Sequence, residues 1–440
     1  MYNLVLRSPD GSDRTLRYDP LTSLTEWADT GEELNLSKLD LDPAEHQEWN
    51  VAFPVHPTNP AGKSRKPKSL KIQMGLKCNY SCSYCNQASQ PHDSEGNPKQ
   101  VARFLEKLPT WFELSDEVFD IEFWGGEPFV YWKTMKPLAE GIRELYPNAN
   151  FSVITNGSLL DKDKVDWLRD YGFNVTVSHD GPAYEAGRGL DPLMNDEQRG
   201  WIKYALDTIG RSKFAFNCVL SAHNFSLDAV RQHIATHLGV DPDSFSLWTE
   251  EILLPYDEGG LKLSVLNEQQ AVDLMHTVFS EAATGVSTKS PAVMNKMKEF
   301  AESLRDKRPA SSLGQKCGMD REDNIAIDLN GNVLTCQNTS PLTKHRIGHM
   351  EAFDHIKLTT AYHWTTRDEC KQCPLVQLCQ GACLFLEDKL WLTACNNSFA
   401  YNAGIMAAVL FHITGMILIE IQRDAGIRHP AITFNKIIRV

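Results

Sequence analysis

Three cysteines stand close together near residue 80, in a chain that otherwise uses cysteine sparingly. They are Cys78, Cys82 and Cys85 in the segment KCNYSCSYCNQ, residues 77–87. Structural zinc sites usually have four ligands, and no further His, Cys or Asp follows this triad before His92. A cubane iron–sulfur cluster on three cysteines leaves one iron open to bind a substrate or a cofactor. The triad therefore indicates a zinc site, an iron–sulfur site or a disulfide.

Seven further cysteines lie near the C-terminal end of this 440-residue chain. They are Cys317, Cys336, Cys370, Cys373, Cys379, Cys383 and Cys395. The N-terminus has no basic stretch followed by an apolar run, so we expect a reducing, cytoplasmic location, which disfavours disulfides. Such clustering then favours metal, with two zinc ribbons as the alternative to iron–sulfur sites. Cys218 stands alone in a predicted strand and is interpreted as a core thiol.

Charge and hydropathy exclude two classes of partner. A formal net charge of −13 and a pI near 5.6 argue against binding to nucleic acid. The long apolar stretch from Ala407 to Ile421 is interrupted by His412 and Thr414. We therefore predict a buried or interface helix there, and no association with a membrane.

Six apolar, β-branched runs alternate with amphipathic helical stretches. The runs are Leu70–Met74, Val118–Trp124, Phe151–Thr155, Phe173–Ser178, Lys213–Leu220 and Ser244–Trp248. This alternation predicts a parallel α/β sheet with right-handed crossovers. Two further helices are expected near Glu268–Ala283 and Ala292–Asp306.

Polar motifs follow these strands at the edge where such sheets carry their chemistry. The cysteine triad follows the first strand, GGEP (Gly125 to Pro128) the second, TNG (Thr155 to Gly157) the third and SHDGP (Ser178 to Pro182) the fourth. Taken alone, these motifs are also typical of tight turns and helix caps.

The pattern CxxxCxΦC, with the aromatic Tyr84 as Φ, together with GGEP resembles the radical SAM enzyme superfamily. The resemblance implies that the open iron chelates S-adenosyl-L-methionine (SAM) and that its reductive cleavage yields a 5′-deoxyadenosyl radical. By the same resemblance, the glycines approach the methionine moiety, a carboxylate meets its ammonium group, and polar residues contact the ribose and carboxylate. The implied SAM-binding residues are Tyr84, Gly125, Gly126, Glu127, Pro128, Thr155, Asn156, Ser178 and Asp180.

The late cysteines resemble the SPASM extension of radical SAM peptide maturases, in which two auxiliary clusters accompany the first, making three [4Fe-4S] clusters. By analogy, Cys370, Cys373, Cys379 and Cys395 hold the outer cluster, and Cys317, Cys336 and Cys383 the inner one. Some family members supply an eighth cysteine that this chain lacks. The fourth inner site is therefore open or filled by Asp320, Asp323 or peptide. Gly331 is a predicted hairpin residue that returns Cys336 towards Cys317.

The predicted fold is an α/β partial (β/α)6 TIM-like barrel (66–306) with a C-terminal iron–sulfur SPASM domain and terminal helix (307–440). A small N-terminal α+β element (1–65) is predicted to contain a hairpin, YNLVLR and RTLRYD, then a helix-prone stretch. It is a candidate site for docking a leader peptide or a plain packing extension. Pro57 to Ser69 has the composition of a linker.

The resemblance predicts a maturase that crosslinks a ribosomally made precursor peptide through carbon–carbon, ether or thioether bonds. The expected partners are that peptide with its leader and a small reductant, flavodoxin or ferredoxin. Glu250, Glu251 and His223 are candidate proton acceptors or peptide contacts, and Arg188 a candidate partner for a carboxylate. Two alternatives remain: a sulfatase-type formylglycine maturase, and a non-catalytic iron–sulfur or zinc scaffold.

Overall fold

The computed structural model describes residues 1–39, 41, 49, 55–56, 58–92, 95–114, 118–265, 267–383 and 385–423. These residues form two sheets, a large one of nine strands and a small one of four. The candidate site is built on the large sheet.

The large sheet contains the six predicted strands side by side in chain order, all parallel. Their bounds are β4 Ser69–Gln73, β5 Asp120–Trp124, β6 Asn150–Thr155, β7 Asn174–Ser178, β8 Phe214–Leu220 and β9 Ser246–Ile252. The predicted α/β fold class is therefore confirmed. β9 is longer than predicted, so Glu250 and Glu251 lie inside the strand and not after it, which corrects the prediction for these two residues.

Three further strands extend the large sheet beyond β4. They are β10 Asn324–Asp328, β11 Asn332–Leu334 and β12 Arg346–His349. β10 runs parallel to β4, and β11 and β12 follow as an antiparallel meander. Gly331 turns the chain between β10 and β11 with a φ of +90°, as the hairpin prediction requires. The segment that carries Cys317 and Cys336 is thereby fixed to the edge of the sheet.

Helices cover the sheet between its strands, and the predicted amphipathic stretches are confirmed. The helices are α1 Val101–Trp111, α2 Trp132–Leu145, α3 Lys162–Asp170, α4 Tyr184–Gly187, α5 Asp196–Ile209, α6 Leu227–Leu238, α7 Glu258–Lys262, α8 Glu268–Ala283, α9 Pro291–Arg305, α10 Asp368–Lys371, α11 Val376–Cys379 and α12 Asp388–Thr414. Side-chain caps fix several starts: Ser226 accepts from Ala229 N before α6, and Asn267 from Gln270 N before α8.

The two faces of the six parallel strands differ in polarity. One face carries fully buried apolar side chains such as Ile72, Phe123 and Leu247, which belong to the main core with the helices. The opposite face carries polar or partly exposed side chains: Lys71, Glu122, Ser152, Thr176, Ser178, Asn217 and Trp248. Paired residues of parallel strands share a face, and the register pairs these positions across the sheet. A polar inner face is suited to a ligand cavity more than to a packed barrel core.

The small sheet joins the two ends of the described chain. The predicted hairpin is confirmed as β1 Tyr2–Arg7 and β2 Asp13–Tyr18, followed by β3 Thr25–Trp27. β13, Ile417–Arg423, pairs antiparallel with β1. Much of the predicted helix-prone stretch, residues 40, 42–48 and 50–54, falls outside the described residues. The domain boundaries stay a prediction.

The apolar stretch near the C-terminus is only partly helical. α12 ends at Thr414, where Gly415 adopts a φ of +76°, and Ile417 onwards forms β13. The prediction of one helix through Ile421 is wrong beyond Thr414, because the glycine ends the helix and β1 offers a free strand edge. The helical part is buried as predicted. Across the described chain, no helix combines the length and apolar composition needed to span a bilayer.

Candidate functional site

The loop of the first three cysteines follows β4 and is bound to the neighbouring strand-end loops. Ser83 N donates to Gly187 O at 2.8 Å, and the ring of Tyr84 packs so closely on Gly187 that a Cβ there would lie 2.5 Å from it. Asn156 Nδ2 donates to Asn79 Oδ1 at 3.0 Å and lies 3.9 Å from Cys78 Sγ. The TNG motif therefore contacts the cysteine loop directly.

The three thiols of this loop interact electrostatically. The pKa of Cys82 is raised to about 11, mainly by burial; Arg188 acts against this rise, and Cys85 and Cys78 contribute to it. Burial likewise raises the pKa of Cys78 and Cys85. Grouped thiols of this kind are neutral without a metal, and cluster binding must therefore displace their protons.

The spacing of the thiols favours a cluster over a single zinc ion. Tetrahedral zinc with Zn–S near 2.3 Å would bring its sulfur ligands to about 3.8 Å from one another. Among the described residues, the only three His, Cys, Asp or Glu ligand atoms all within 4.8 Å of one another belong to His179, Asp191 and His233. The cysteine sets are spread more widely, as suits a cubane whose ligands sit on different irons.

Glu127, from the GGEP motif, binds the two motif loops to each other. Its carboxylate accepts hydrogen bonds from Thr155 Oγ1 at 2.8 Å, Asn156 N at 2.8 Å and Phe129 N at 3.0 Å. The residue is 1% exposed, and burial raises its pKa to about 7. Its hydrogen-bonding capacity is directed into the protein, so contact with a SAM ammonium group stays a prediction that this geometry does not support.

Gly126 stands where the backbone comes very close to the cysteine loop. A Cβ there would lie 2.3 Å from the carbonyl oxygens of Leu76 and Lys77. Glu127 N also donates to Lys77 O at 3.0 Å. Only glycine permits this approach. Gly126 is also the one residue of the GGEP motif that is partly exposed, since Gly125, Glu127 and Pro128 are buried.

Asp180 is similarly occupied by partners within the chain. It accepts hydrogen bonds from the Tyr84 hydroxyl, from Val219 N at 3.0 Å, and from Arg188 Nε and Nη2 at 2.7 and 3.2 Å. The residue is 2% exposed. The carboxylate expected for Arg188 is thus supplied by Asp180, and the pair holds Tyr84 in place. Ser178 differs, because it lies on the polar face and is partly exposed.

Glu250 and Trp248 lie on the polar face at the far end of the strand row. Trp248 is 42% exposed, although it sits within a strand. Asn217 Nδ2, from the adjacent strand, donates to Glu250 Oε1 at 3.3 Å. Together with Ser178, which pairs with Asn217 in register, these side chains form a continuous surface from the candidate SAM site to β9.

Glu251 points elsewhere. It is 8% exposed, and its carboxylate is ion-paired with Lys296 and, at 2.7 Å, with Lys316. Despite burial, these lysines lower its pKa to about 2. A carboxylate this strongly ionised is a poor proton acceptor, so the candidate role as a base is not supported for Glu251. His223 is exposed on the turn after β8, and its role stays a prediction.

Four late cysteines converge on one cavity. Cys370, Cys373, Cys379 and Cys395 line it together with the apolar or small residues Val376, Gly381, Ala382 and Trp391. This is the set that the sequence assigns to the outer cluster. Four soft ligands around an otherwise apolar cavity fit an iron–sulfur cluster.

The three cysteines of the inner set also interact. The pKa of Cys336 is raised to about 12, mainly by burial, and Cys383 and Cys317 contribute to this rise. Asp323 forms an ion pair with Arg321 at 2.9 Å, so its carboxylate already has a partner within the chain. Asp320 Oδ2 accepts from Gln315 N at 2.9 Å, whereas Oδ1 is buried and has no hydrogen-bond partner among the described residues. Of the two carboxylates, Asp320 stays the candidate fourth ligand.

Contacts that the sequence did not reveal hold the two cysteine regions together. Gln73 Nε2 donates to Gln337 O and Thr339 O at 2.7 and 2.9 Å, and Gln87 Nε2 to Asn338 Oδ1 at 3.0 Å. Lys63, from the predicted linker, donates to three carbonyls of residues 319–324. None of these residues belongs to a motif, and Lys63 and Gln73 lie 15 and five residues before Cys78, so no local signal marks them.

His179, Asp191 and His233 form a buried cluster beside the SHDGP motif. Both imidazole Nε2 atoms lie against the Asp191 carboxylate, at 2.9 and 3.1 Å. Gly181 N donates to His179 Nδ1 at 3.1 Å, so the ring's proton is on Nε2 and is donated to Asp191. A metal on Nε2 would require a proton on Nδ1 facing that N–H. The cluster is therefore a hydrogen-bond network.

Comparison with known proteins agrees with this geometry. The sequence profile of the radical SAM superfamily matches residues 72–219, from β4 into β8. Residues 72–219 therefore have the sequence pattern of a radical SAM domain. The prediction of a radical SAM enzyme that uses SAM and a [4Fe-4S] cluster is thereby confirmed.

Relatives of this chain include a cyclopropyl synthase and a sulfatase-maturating enzyme. It is 27% identical over 181 residues to the radical SAM cyclopropyl synthase of Paramaledivibacter caminithermalis, a match that spans 36% of each chain. It is 21% identical over 353 residues to the serine-type anaerobic sulfatase-maturating enzyme of Klebsiella pneumoniae, covering 73% of this chain and 84% of that enzyme. The match to the cyclopropyl synthase thus covers only about a third of that protein's length.

The solved structure of native anSMEcpe with bound AdoMet and the Kp18Cys peptide has the same fold. The TM-score is 0.55 at 19% identity, covering 76% of this chain and 96% of that chain. At this identity the likeness concerns the fold alone.

Proposed function

We propose that this radical SAM enzyme is a SPASM-type maturase that oxidatively crosslinks side chains of a ribosomally made precursor peptide. It would hold three [4Fe-4S] clusters, one at Cys78, Cys82 and Cys85 and two in the late cysteine sets. The observation that carries the proposal is the cavity lined by Cys370, Cys373, Cys379 and Cys395. A superfamily member that performed only SAM cleavage would not need a second, separate cluster site.

The bound cluster and SAM would supply a 5′-deoxyadenosyl radical that abstracts a hydrogen atom from carbon, chemistry that belongs to the cofactor. The chain's own residues hold this site rigid. Asp180 and Arg188 fix Tyr84, and Glu127 fixes the GGEP and TNG loops against each other. The partly exposed Gly126 and Ser178 are left for SAM.

The polar face of the sheet is the proposed peptide site. Trp248 offers an exposed aromatic surface and Glu250 an accessible carboxylate on one strand face. A new bond to a carbon radical requires loss of a second electron and a proton from the substrate. Glu250 would accept that proton, and the auxiliary clusters would accept the electron.

Anaerobic reconstitution tests the cofactor content. The proposal expects about twelve irons per chain, four for each cubane, and release of 5′-deoxyadenosine that depends on dithionite and is abolished in Cys82→Ala. Bound zinc without SAM cleavage would instead identify the scaffold alternative. The matched control is Cys218→Ala, which removes a buried thiol outside all three sets.

Co-expression with a short open reading frame beside the gene tests the reaction. Mass spectrometry should show a loss of two hydrogens in the peptide, whereas an unchanged mass would indicate epimerisation and overturn crosslinking. The N-terminal element as leader-peptide site and a flavodoxin or ferredoxin reductant belong to the same proposal.

Formylglycine formation is the second candidate, favoured by the long match to the sulfatase-maturating enzyme. The inner set argues against this candidate, because it has only three cysteines and the chain lacks the eighth late cysteine that some SPASM proteins supply. An anaerobic assay with a sulfatase-derived serine or cysteine peptide distinguishes the two, since only a formylglycine maturase would produce an aldehyde.

A further inference from the structure

Glu251 has an unusual backbone conformation for a buried acid. Its φ is +70°, in the left-handed region that residues other than glycine and asparagine rarely occupy. The pairing register of β8 and β9 shifts at the same place, between Cys218 and Leu220. A bulge of this kind re-aims a side chain. Here it turns Glu251 away from the polar face that carries Glu250, and such stored strain points to a function.

The redirected carboxylate holds two lysines from different elements. Lys296 of α9 ion-pairs with Oε1, and Lys316 Nζ lies 2.7 Å from Oε2. The Lys296 and Glu251 side chains are nearly buried, at 13% and 11% exposure. One carboxylate faces two ammonium groups, so this three-residue group has one surplus positive charge. The Lys316 side chain is 34% exposed, and the Glu250 carboxylate also acts on it. Charge interactions are therefore stronger at the more buried Lys296 than at Lys316.

The three residues are attached to both late cysteine sets. Lys316 directly precedes Cys317 of the inner set. Lys296 Nζ also donates to the carbonyl of Leu378 at 2.9 Å, and Leu378 directly precedes Cys379 of the outer set. Buried charge normally has a counter-charge, and an anionic cluster on thiolates would supply it.

We propose that Glu251 is a positioning residue that holds Lys296 and Lys316 beside the auxiliary clusters, where their surplus positive charge stabilises the reduced, more negative clusters. This inference rests on the proposed function, because it requires that the late cysteines hold clusters. The potential of an iron–sulfur cluster depends on the charge around it. The lysines therefore raise the reduction potential of the auxiliary clusters and favour their role as electron acceptors.

The test is a redox titration of the full chain, monitored by electron paramagnetic resonance. The parent protein for all variants has Cys78, Cys82 and Cys85 changed to alanine. Iron content and the spectrum of this parent come first. A parent without auxiliary clusters overturns the proposed function itself, which separates that failure from failure of the present inference.

The comparison then uses Lys316→Met, Lys316→Arg, Lys296→Met and, as a control lysine in a partly exposed pair with Asp207, Lys203→Met. Lys316→Met and Lys296→Met should each keep their iron and move the midpoint potential of an auxiliary cluster to more negative values. We expect at least a tenfold change in the one-electron equilibrium, about 59 mV. Lys316→Arg should keep the midpoint potential of the parent, and Lys203→Met should not change that potential.

Two results would overturn the inference. One is unchanged midpoints in both Met variants with full iron content. The other is loss of iron from both Met variants, since the lysines would then serve only to fold the ligand loops. If only Lys316→Met loses iron, the result for Lys296→Met decides: a more negative midpoint potential supports the inference, and an unchanged one overturns it.

Discussion

Tyr84, from the loop of the first three cysteines, donates its hydroxyl hydrogen bond to the carboxylate of Asp180 at the end of β7. Arg188 completes the arrangement with Nε 2.7 Å from the same carboxylate oxygen. The cysteine loop is therefore anchored to the sheet through a buried ion pair. This anchor has direct consequences for stability and for cluster binding.

Asp180→Asn should strongly destabilise the protein. The substitution leaves the Arg188 guanidinium buried without its counter-charge, which typically costs about 3–5 kcal/mol. Denaturant unfolding of the cluster-free chain measures this loss. Asp196→Asn is the matched control, because Asp196 forms an exposed pair with Arg199 and should change little. Equal stability of the two variants would contradict the anchoring role.

Tyr84→Phe should have a milder effect, because it removes one hydrogen bond and keeps the ring on Gly187. We expect a loss of about 1 kcal/mol in unfolding free energy and weaker retention of the first cluster. Iron analysis after reconstitution measures the second effect. Full retention through repeated desalting would show that the hydroxyl is dispensable for holding the loop.

In the cluster-free protein, Glu127 should make the free energy of unfolding fall as the pH rises. A surface carboxylate in an ion pair has the opposite effect. Burial raises its pKa to about 7, so the folded state binds the proton more tightly than the unfolded state. Its contribution is fully present below the unfolded pKa and is lost as pH rises towards and past 7. A shift of this size corresponds to roughly 3 kcal/mol.

Unfolding free energies of wild type and Glu127→Gln between pH 5 and pH 8 isolate this contribution. The wild-type curve should fall relative to that of the variant over this range. Parallel curves would show that the pKa of Glu127 is not raised.

Glu250→Gln should separate SAM cleavage from product formation. The amide cannot accept a proton, and general base catalysis typically contributes about 10²–10⁴-fold. Product should fall by a factor in that range while 5′-deoxyadenosine release continues. The ratio of modified peptide to 5′-deoxyadenosine, measured by mass spectrometry, checks this. A product yield equal to wild type would exclude Glu250 as the base.

Single cysteine substitutions should remove iron in discrete amounts. Cys82→Ala and Cys373→Ala each belong to a different set, so each should lose about four irons and the double variant about eight. Cys218→Ala should lose none, because its thiol is buried in the core between β8 and its neighbours. Similar iron loss in Cys82→Ala, Cys373→Ala and Cys218→Ala would indicate a general folding defect and would contradict distinct cluster sites.

Much of the fold followed from local pattern. The period of apolar residues specified all six parallel strands and the helices between them, because burial on a sheet face or a helix face requires that period. The cysteine spacing indicated cluster chemistry, because ligand type and separation along a loop are themselves chemical information. The GGEP and TNG motifs were rightly placed at strand ends for the same local reason.

What the motif residues contact was decided only by tertiary structure. The family resemblance implied that Thr155, Glu127 and Asp180 contact the cofactor. In the fold, however, their hydrogen bonds are made with other groups of the chain. Glu250 and Glu251 are adjacent and identical in type, but a bulge sends one to the polar face and the other to two lysines. Hydrogen-bond saturation and charge pairing depend on distances between residues far apart in the chain, which no local pattern encodes.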